Sequence, residues 1–179
     1  MHNRTNRVKP LFLIGYMGCG KSTLGRKLAR RLQVDFADTD ALIEEREGAS
    51  VADIFQLAGV EYFRQAERAV LEELIASDRP LVVSTGGGLP VWSDNMARMN
   101  AAGTTVYLAR TAAQIASRLS PYGRQKRPRL RALSDDELVA FMERDMAERE
   151  PFYGAASWRL VCAEKSDNEL IDWIVEHCC

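Results

Sequence analysis

Gly15-Tyr16-Met17-Gly18-Cys19-Gly20-Lys21-Ser22 fits the spacing G-x-x-x-x-G-K-[ST] throughout, and residues of these types at this spacing suit the handling of a phosphate chain. Glycines let consecutive backbone N–H groups converge on phosphate oxygens, and a helix starting there adds its partial positive charge. The ammonium of Lys21 would reach the outer phosphates, and the Ser22 hydroxyl would face a magnesium ion that neutralises charge on the leaving group. The expected cradle is Gly18, Cys19, Gly20, Lys21, Ser22 and Thr23, and the expected ligand is ATP with Mg2+. A glycine-rich turn without a ligand explains neither Lys21 nor the apolar strand and amphipathic helix on either side.

Two carboxylates, Asp38 and Asp40, follow in Phe36-Ala37-Asp38-Thr39-Asp40. In an extended chain, residues two apart project the same way, so both would face the crevice at the carboxyl edge of a sheet. Paired carboxylates repel a triphosphate unless one meets a cation and the other accepts a proton, which puts one near magnesium and one near an acceptor hydroxyl. Spacing alone equally allows turn residues, or Asp40 as N-cap of a helix starting near Ala41. Gly86-Gly87-Gly88 exposes bare backbone after the apolar run Leu81 to Ser84, where a ligand can approach closely. Arg149 follows Met142 by seven and Met146 by three. It thus extends an apolar helical stripe, although an arginine near a helix end also suits the dipole. Arg64 stands at the margin of its stripe and by spacing alone reads as a surface arginine.

The elements that must position these groups alternate between short apolar runs and longer amphipathic segments, the mark of an α/β fold with a parallel sheet and crossover helices. Expected strands are Leu11 to Ile14, Phe36 to Asp38, Leu81 to Ser84, Thr104 to Leu108 and Arg159 to Cys162. A first helix should open at Gly20 with Leu24, Leu28 and Leu32 facing the sheet. A second, Glu61 to Ala76, carries Phe63, Val70, Leu71 and Leu74. A third, Ser134 to Glu150, begins with a capping box of Ser134 and Glu137 and buries Leu138, Phe141, Met142 and Met146. Between Ser120 and Leu133 there is no periodicity, so that segment reads as a long loop or lid.

The 179 residues, 46% hydrophobic and 27% charged, suit one globular domain over 1–179. The formal net charge of -1 argues against a nucleic-acid or membrane-surface binder, both of which need a sustained basic field. Charge is nevertheless uneven, since Arg118, Arg124, Lys126, Arg127, Arg129 and Arg131 fall in one short stretch with no acid among them. The polar start and the short apolar run after it fit neither a signal peptide nor a membrane span, so a cytoplasmic protein is expected. Cys19, Cys162, Cys178 and Cys179 lack zinc-ligand spacing and are expected as reduced thiols.

Taken together and in order, the Gly15 to Ser22 motif, Asp38-Thr39-Asp40, Phe63-Arg64, Thr85 to Gly88, Arg127-Pro128 and Arg149-Glu150-Pro151-Phe152-Tyr153 closely resemble the shikimate kinase family. The resemblance spans nearly the whole chain. It implies a three-layer P-loop fold of the nucleoside-monophosphate-kinase type, with five parallel strands and a lid over about 120–133. It also implies transfer of the γ-phosphoryl group of ATP to the 3-hydroxyl of shikimate in aromatic amino acid biosynthesis. By the same resemblance, Asp38 lies near the metal with Ser22, and Asp40 contacts the acceptor hydroxyl as candidate base. Arg64 and Arg149 hold the acceptor carboxylate beside the Gly86 to Gly88 backbone. Arg127 reaches the transferred phosphoryl group, and Arg118 lines the adenine side. The expected partner is shikimate alone, with no nucleic acid and no membrane, and the protein is expected as a monomer. Departures are Ala37, Ser84 and the additional arginine in Arg127-Pro128-Arg129-Leu130, which leaves open whether Arg127 or Arg129 meets the phosphate.

Three rival readings keep the cradle. A GTPase switch needs a guanine-reading Asn-Lys-x-Asp segment, and no asparagine here precedes lysine. A kinase for gluconate or a nucleoside monophosphate would not require the two carboxylate-facing arginines. A non-catalytic ATP-binding module would not require the full set of catalytic parts.

Overall fold

Strand β1, Leu11–Ile14, is buried at all four positions, as expected where a parallel sheet is covered on both faces and its strands read as unbroken apolar runs. Its neighbours β3 (Leu81–Ser84) and β4 (Thr104–Ala109) have the same character. At the edges lie β2 (Asp35–Asp38), paired with β3, and β5 (Trp158–Val161), paired with β4. All pairings are parallel, and the order is β2-β3-β1-β4-β5. The computed structural model describes residues 9–77, 79–125, 127 and 129–179; the polar start of the chain, and Lys126 and Pro128 of the basic stretch, lie outside these. The expected strands are all present, with ends that differ by at most one residue.

This order explains how residues far apart in sequence meet. Strands β2, β3 and β1 are neighbours, so the segments leaving their carboxyl ends emerge side by side: Asp38 pairs in register with Ser84, and Ser84 with Leu13. The glycine-rich loop, the aspartate pair and the triple glycine therefore share one rim of the sheet, where open α/β folds bind ligands.

Helix α1 (Lys21–Leu32) follows β1 directly, with Leu24 and Leu28 buried beneath it. Burying a leucine as fully as Leu28 stabilises the fold by about 1.5–3 kcal/mol. Arg26, Lys27, Arg30 and Arg31 on its other side are exposed. Helix α2 (Thr39–Glu47) begins two residues earlier than expected. Its N-cap is Asp38, whose side chain accepts from the N–H groups of Asp40 and Ala41, so the alternative of Asp40 as cap is excluded. An aspartate that still has β dihedrals while the next residue turns helical is well placed for that role.

Helix α3 (Val51–Ala76) is longer than the Glu61 to Ala76 expected. Ser50 caps it, and Gly59, at φ 87° and ψ 171°, breaks it into two pieces. Ile54 from the first piece joins Phe63 and Val70 from the second and Ile43 of α2 in a satellite cluster, which explains why the first piece forms. Helices α4 (Asn95–Ala102) and α5 (Ala112–Arg118) flank β4 in sequence. The stretch expected as an aperiodic loop contains a short helix α6 (Pro121–Gln125) and the fully buried Leu130. Helix α7 (Asp135–Tyr153) has the expected capping box of Ser134 and Glu137, and it continues through Pro151. Helix α8 (Asp167–Cys178) closes the described chain. All four cysteines are free thiols, with Cys19 and Cys162 buried.

Candidate active site

The glycine-rich loop leaves β1 with Gly15, Gly18 and Gly20 at φ 144°, 77° and 102°, values that L side chains resist. Gly20 is the N-cap of α1 and offers no side chain to its first N–H groups, which leaves those donors to an anion. Lys21 is buried at 7% exposure. Its Nζ donates to the carbonyls of Gly15 and Tyr16 at 2.8 and 2.9 Å, which holds the ammonium against the loop. Arg118, at the end of α5, is exposed, with Nη2 3.7 Å from where a Cβ on Gly20 would stand. Arg110 braces the loop from below, donating Nε–H to the Cys19 carbonyl at 3.0 Å and Nη1–H to that of Cys162 at 3.1 Å. Thr23 is exposed on the first turn of α1.

Ser22 Oγ donates to Asp38 Oδ2 at 2.5 Å and lies 3.1 Å from Ser84 Oγ. This group of oxygens suits a hard cation such as magnesium, which is bound through one or two carboxylates with phosphate oxygens and water completing its shell. No group of three or more His, Cys, Asp or Glu that could hold a metal occurs among the described residues.

Asp40 sits on the first turn of α2, one residue past Thr39, whose Oγ1 accepts from the Gly86 N–H at 2.8 Å and ties α2 to the triple glycine. Both aspartates face the same rim. The reason differs from the extended two-residue spacing expected, because Asp38 ends a strand and Asp40 already belongs to a helix. Asp40 Oδ1 and Glu67 Oε1 are buried without a hydrogen-bond partner among the described residues. Both crowd Gly86, where a Cβ would stand 2.5 Å from the first and 2.8 Å from the second. Burial, with the Asp38 charge second, pushes the Asp40 carboxyl up to about 6. Burial likewise pushes Glu67 up to about 7, although its partner Arg64 opposes this.

Arg64 pairs with Glu67 one turn along α3, and any side chain on Gly88 would collide with its guanidinium. Arg149 reaches the same place from α7. Its Nη1 donates to the Gly87 carbonyl at 3.3 Å, its Nη2 lies 3.2 Å from Asp145 Oδ2, and its guanidinium sits 5.4 Å from the Tyr16 ring centroid. Tyr153 fixes the glycine turn by donating its hydroxyl to the Gly87 carbonyl at 2.6 Å. Arg64, Gly88, Trp92, Arg129, Asp145 and Arg149 line one cavity of about 370 Å³. Arg127 does not line that cavity: it donates to the Gly123 carbonyl, and burial pushes its guanidinium down while the nearby Asp40 and Tyr16 oppose that.

One rim thus carries a phosphate cradle, a partly buried carboxylate of raised pKa and a cavity walled by arginines. The sequence model of the shikimate kinase family matches residues 17–179. This chain belongs to the shikimate kinase family. It is 39% identical to the shikimate kinase of Azobacteroides pseudotrichonymphae over 92% of this chain and 96% of the relative. The crystal structure of shikimate kinase from Bacteroides thetaiotaomicron superposes with a TM-score of 0.87 at 38% identity, covering 94% of this chain and 97% of that one. The Acinetobacter baumannii shikimate kinase, solved in complex with shikimate, gives a TM-score of 0.83 at 31% identity over 94% and 92%. The fold is therefore that of the P-loop kinases of this family, and the chain is an ATP-dependent kinase.

Every residue singled out from the sequence lies on the rim, beside the cradle or on the segment between α5 and α7. Missing from that reading were Glu67, Asp145, Thr39 and Arg110. For two of them a signal existed. Glu67 falls between Phe63 and Val70 on the buried stripe of α3, and Asp145 falls three residues after Met142 on that of α7. Charges at core positions of amphipathic helices are costly unless partnered, and so mark sites.

Proposed function

We propose that this shikimate kinase family member transfers the γ-phosphoryl group of ATP to the 3-hydroxyl of shikimate, giving shikimate 3-phosphate and ADP in aromatic amino acid biosynthesis. One observation carries the reading: the partly buried Asp40, whose Oδ1 has no hydrogen-bond partner among the described residues, shares a rim with the Lys21 cradle and borders the Arg64–Glu67 pair. A small polyol acid bound with its carboxylate among the arginines would turn a hydroxyl toward Asp40.

In this reading, the loop N–H groups from Gly18 to Thr23 and the Lys21 ammonium hold the triphosphate, and Arg118 borders the nucleotide's adenine side. Ser22 and Asp38 would hold magnesium, which when bound offsets charge on the phosphate oxygens. Arg64 and Arg149 take the shikimate carboxylate by charge-assisted, forked hydrogen bonds, and the Gly86, Gly87 and Gly88 backbone lies against the ring. Asp40, ionised above about pH 6, orients the acceptor hydroxyl and receives its proton, help typically worth about 10²–10⁴ in rate. Arg127 is assigned to the transferred phosphoryl group because its charge lies near enough to that of Asp40 for the two to interact, whereas Arg129 lines the arginine cavity. An arginine in that role can contribute about 10³–10⁵ in rate. Closure of the 120–133 segment as a lid would exclude water, the competing acceptor.

The reading takes the chain as one kinase domain acting as a cytoplasmic monomer, with a small molecule and neither nucleic acid nor membrane as its partner. Among the described residues no helix is long and apolar enough to cross a membrane. ADP release in a coupled assay, compared across shikimate, quinate, gluconate and AMP, tests the acceptor. Clear preference for shikimate is expected, and preference for any other acceptor rejects the assignment.

A further inference from the structure

Asp145 is a charged side chain at 7% exposure on the core-facing stripe of α7, and a carboxylate so placed must be paired to be tolerated. Its partners come from three parts of the chain. Tyr16 of the cradle donates its hydroxyl at 2.7 Å, Arg149 approaches to 3.2 Å from one turn further along α7, and Arg129 approaches to 3.3 Å from the segment before α7. One carboxylate thus holds two guanidinium groups, in a cavity that Glu148 also lines.

Arg129 is the less committed of the two. Both of its bonds to Asp145 are long, 3.3 and 3.4 Å, and go to a single oxygen, so among the described residues most of its N–H fork is unspent. Its side chain is 57% exposed, and it lines the same cavity as Arg64 and Arg149. The Phe141 ring, 5.1 Å from the guanidinium carbon, supports its face and limits how it can turn. An arginine propped in this way, with spare donors in a cavity already walled by two others, faces an incoming anion.

We propose that Arg129, held against Asp145, is a third arginine of the acceptor's carboxylate pocket. This rests on the reading of that cavity as the carboxylate site. A guanidinium in this position favours acceptors that carry a carboxylate over neutral ones of the same shape, because a charge-assisted bond is stronger than a neutral one. Arg129 therefore acts on acceptor choice, and the nucleotide does not sense it.

The test compares wild type, Arg129→Leu, Arg129→Gln and Arg149→Ala with three probes: ATP, shikimate, and the shikimate carboxamide, in which a neutral amide replaces the carboxylate. KM is measured for the first two, and for the amide its inhibition constant against shikimate. Both Arg129 variants should raise the shikimate KM about tenfold, the equivalent of about 1.4 kcal/mol, with the ATP KM and the amide constant within twofold of wild type. Arg129→Lys, which keeps the charge, should recover part of the loss. A raised ATP KM, an equal change for shikimate and its amide, or no change at all would overturn the proposal. Arg149→Ala separates the two levels of the argument. If it distinguishes acid from amide and the Arg129 variants do not, only this proposal fails. If it does not distinguish them either, the cavity is not a carboxylate site and both readings fall.

Discussion

Replacing Asp40 by asparagine should stabilise the protein at neutral pH while disabling it. The Asp40 carboxyl, ordinarily near 3.8, is pushed up to about 6 by burial and by the neighbouring Asp38 charge. The folded protein therefore holds the Asp40 proton more tightly than the unfolded chain does. Stability from this group is fully present below about pH 4 and is lost as pH rises through about 6. That difference corresponds to about 3 kcal/mol at about 1.4 kcal/mol per pKa unit, and relaxation around the charge would reduce it. Asparagine has nearly the same shape and no charge to desolvate. Urea unfolding of wild type and Asp40→Asn, followed by circular dichroism from pH 4 to pH 8, should show the variant gaining about 1–3 kcal/mol on wild type across that range. Turnover should fall by about 10²–10⁴ if Asp40 is the proton acceptor. A stability difference that is constant across the range would refute the claim that this carboxylate is ionised at a cost in the folded protein.

Three further outcomes follow from the same geometry. The Lys21 ammonium is held by two loop carbonyls, so Lys21→Ala should reduce turnover at least a hundredfold with an unchanged circular dichroism spectrum; near-normal turnover would remove Lys21 from the mechanism. The kcat/KM for shikimate should climb with pH and level off above an inflection between about 6 and 7, the range of the coupled Asp40 and Glu67 carboxyls, and a flat profile from pH 5 to 8 would exclude an ionising base there. Gly88→Val should push aside the Arg64 guanidinium that lies where the new side chain must stand, raising the shikimate KM about tenfold or more with the ATP KM unmoved. Equal increases in both would point to general damage of the rim.

The strands were legible because a parallel sheet covered on both sides demands unbroken apolar runs, and Leu11–Ile14 and Leu81–Ser84 match the expected ends. The cradle was legible because its glycines, Lys21 and Ser22 are fixed by local backbone geometry. The two aspartates share a rim for a different reason from the one expected: a helix start at Thr39, capped by Asp38, puts Asp40 there as an extended strand would have done. The shared rim itself depends on strand order, which no local pattern encodes.

Less legible elements have their own reasons. Helix α6 contains Pro121 and Gly123 in five residues, and it has the Gly123 N–H bonded to Ser120 Oγ at 3.0 Å in place of any apolar stripe. The first piece of α3 exposes Leu57, and Val60 just past the Gly59 break is exposed as well, which blurs its periodicity. Arg64 resembled a surface residue because the partner that secures it, Glu67, lies one turn away and is itself explained only once Gly86 and Asp40 are beside it. The three glycines accommodate protein side chains as much as a ligand, a tertiary fact that their sequence could not convey.

Identification of the product by 31P NMR tests the central claim most directly. Purified protein incubated with ATP, magnesium and shikimate should yield one new phosphomonoester signal, coupled to the proton on carbon 3 of the ring, in step with the loss of the γ-phosphate signal. Inorganic phosphate alone, or a phosphoryl group on a different hydroxyl, would contradict the arrangement of base, cradle and arginines described for this site.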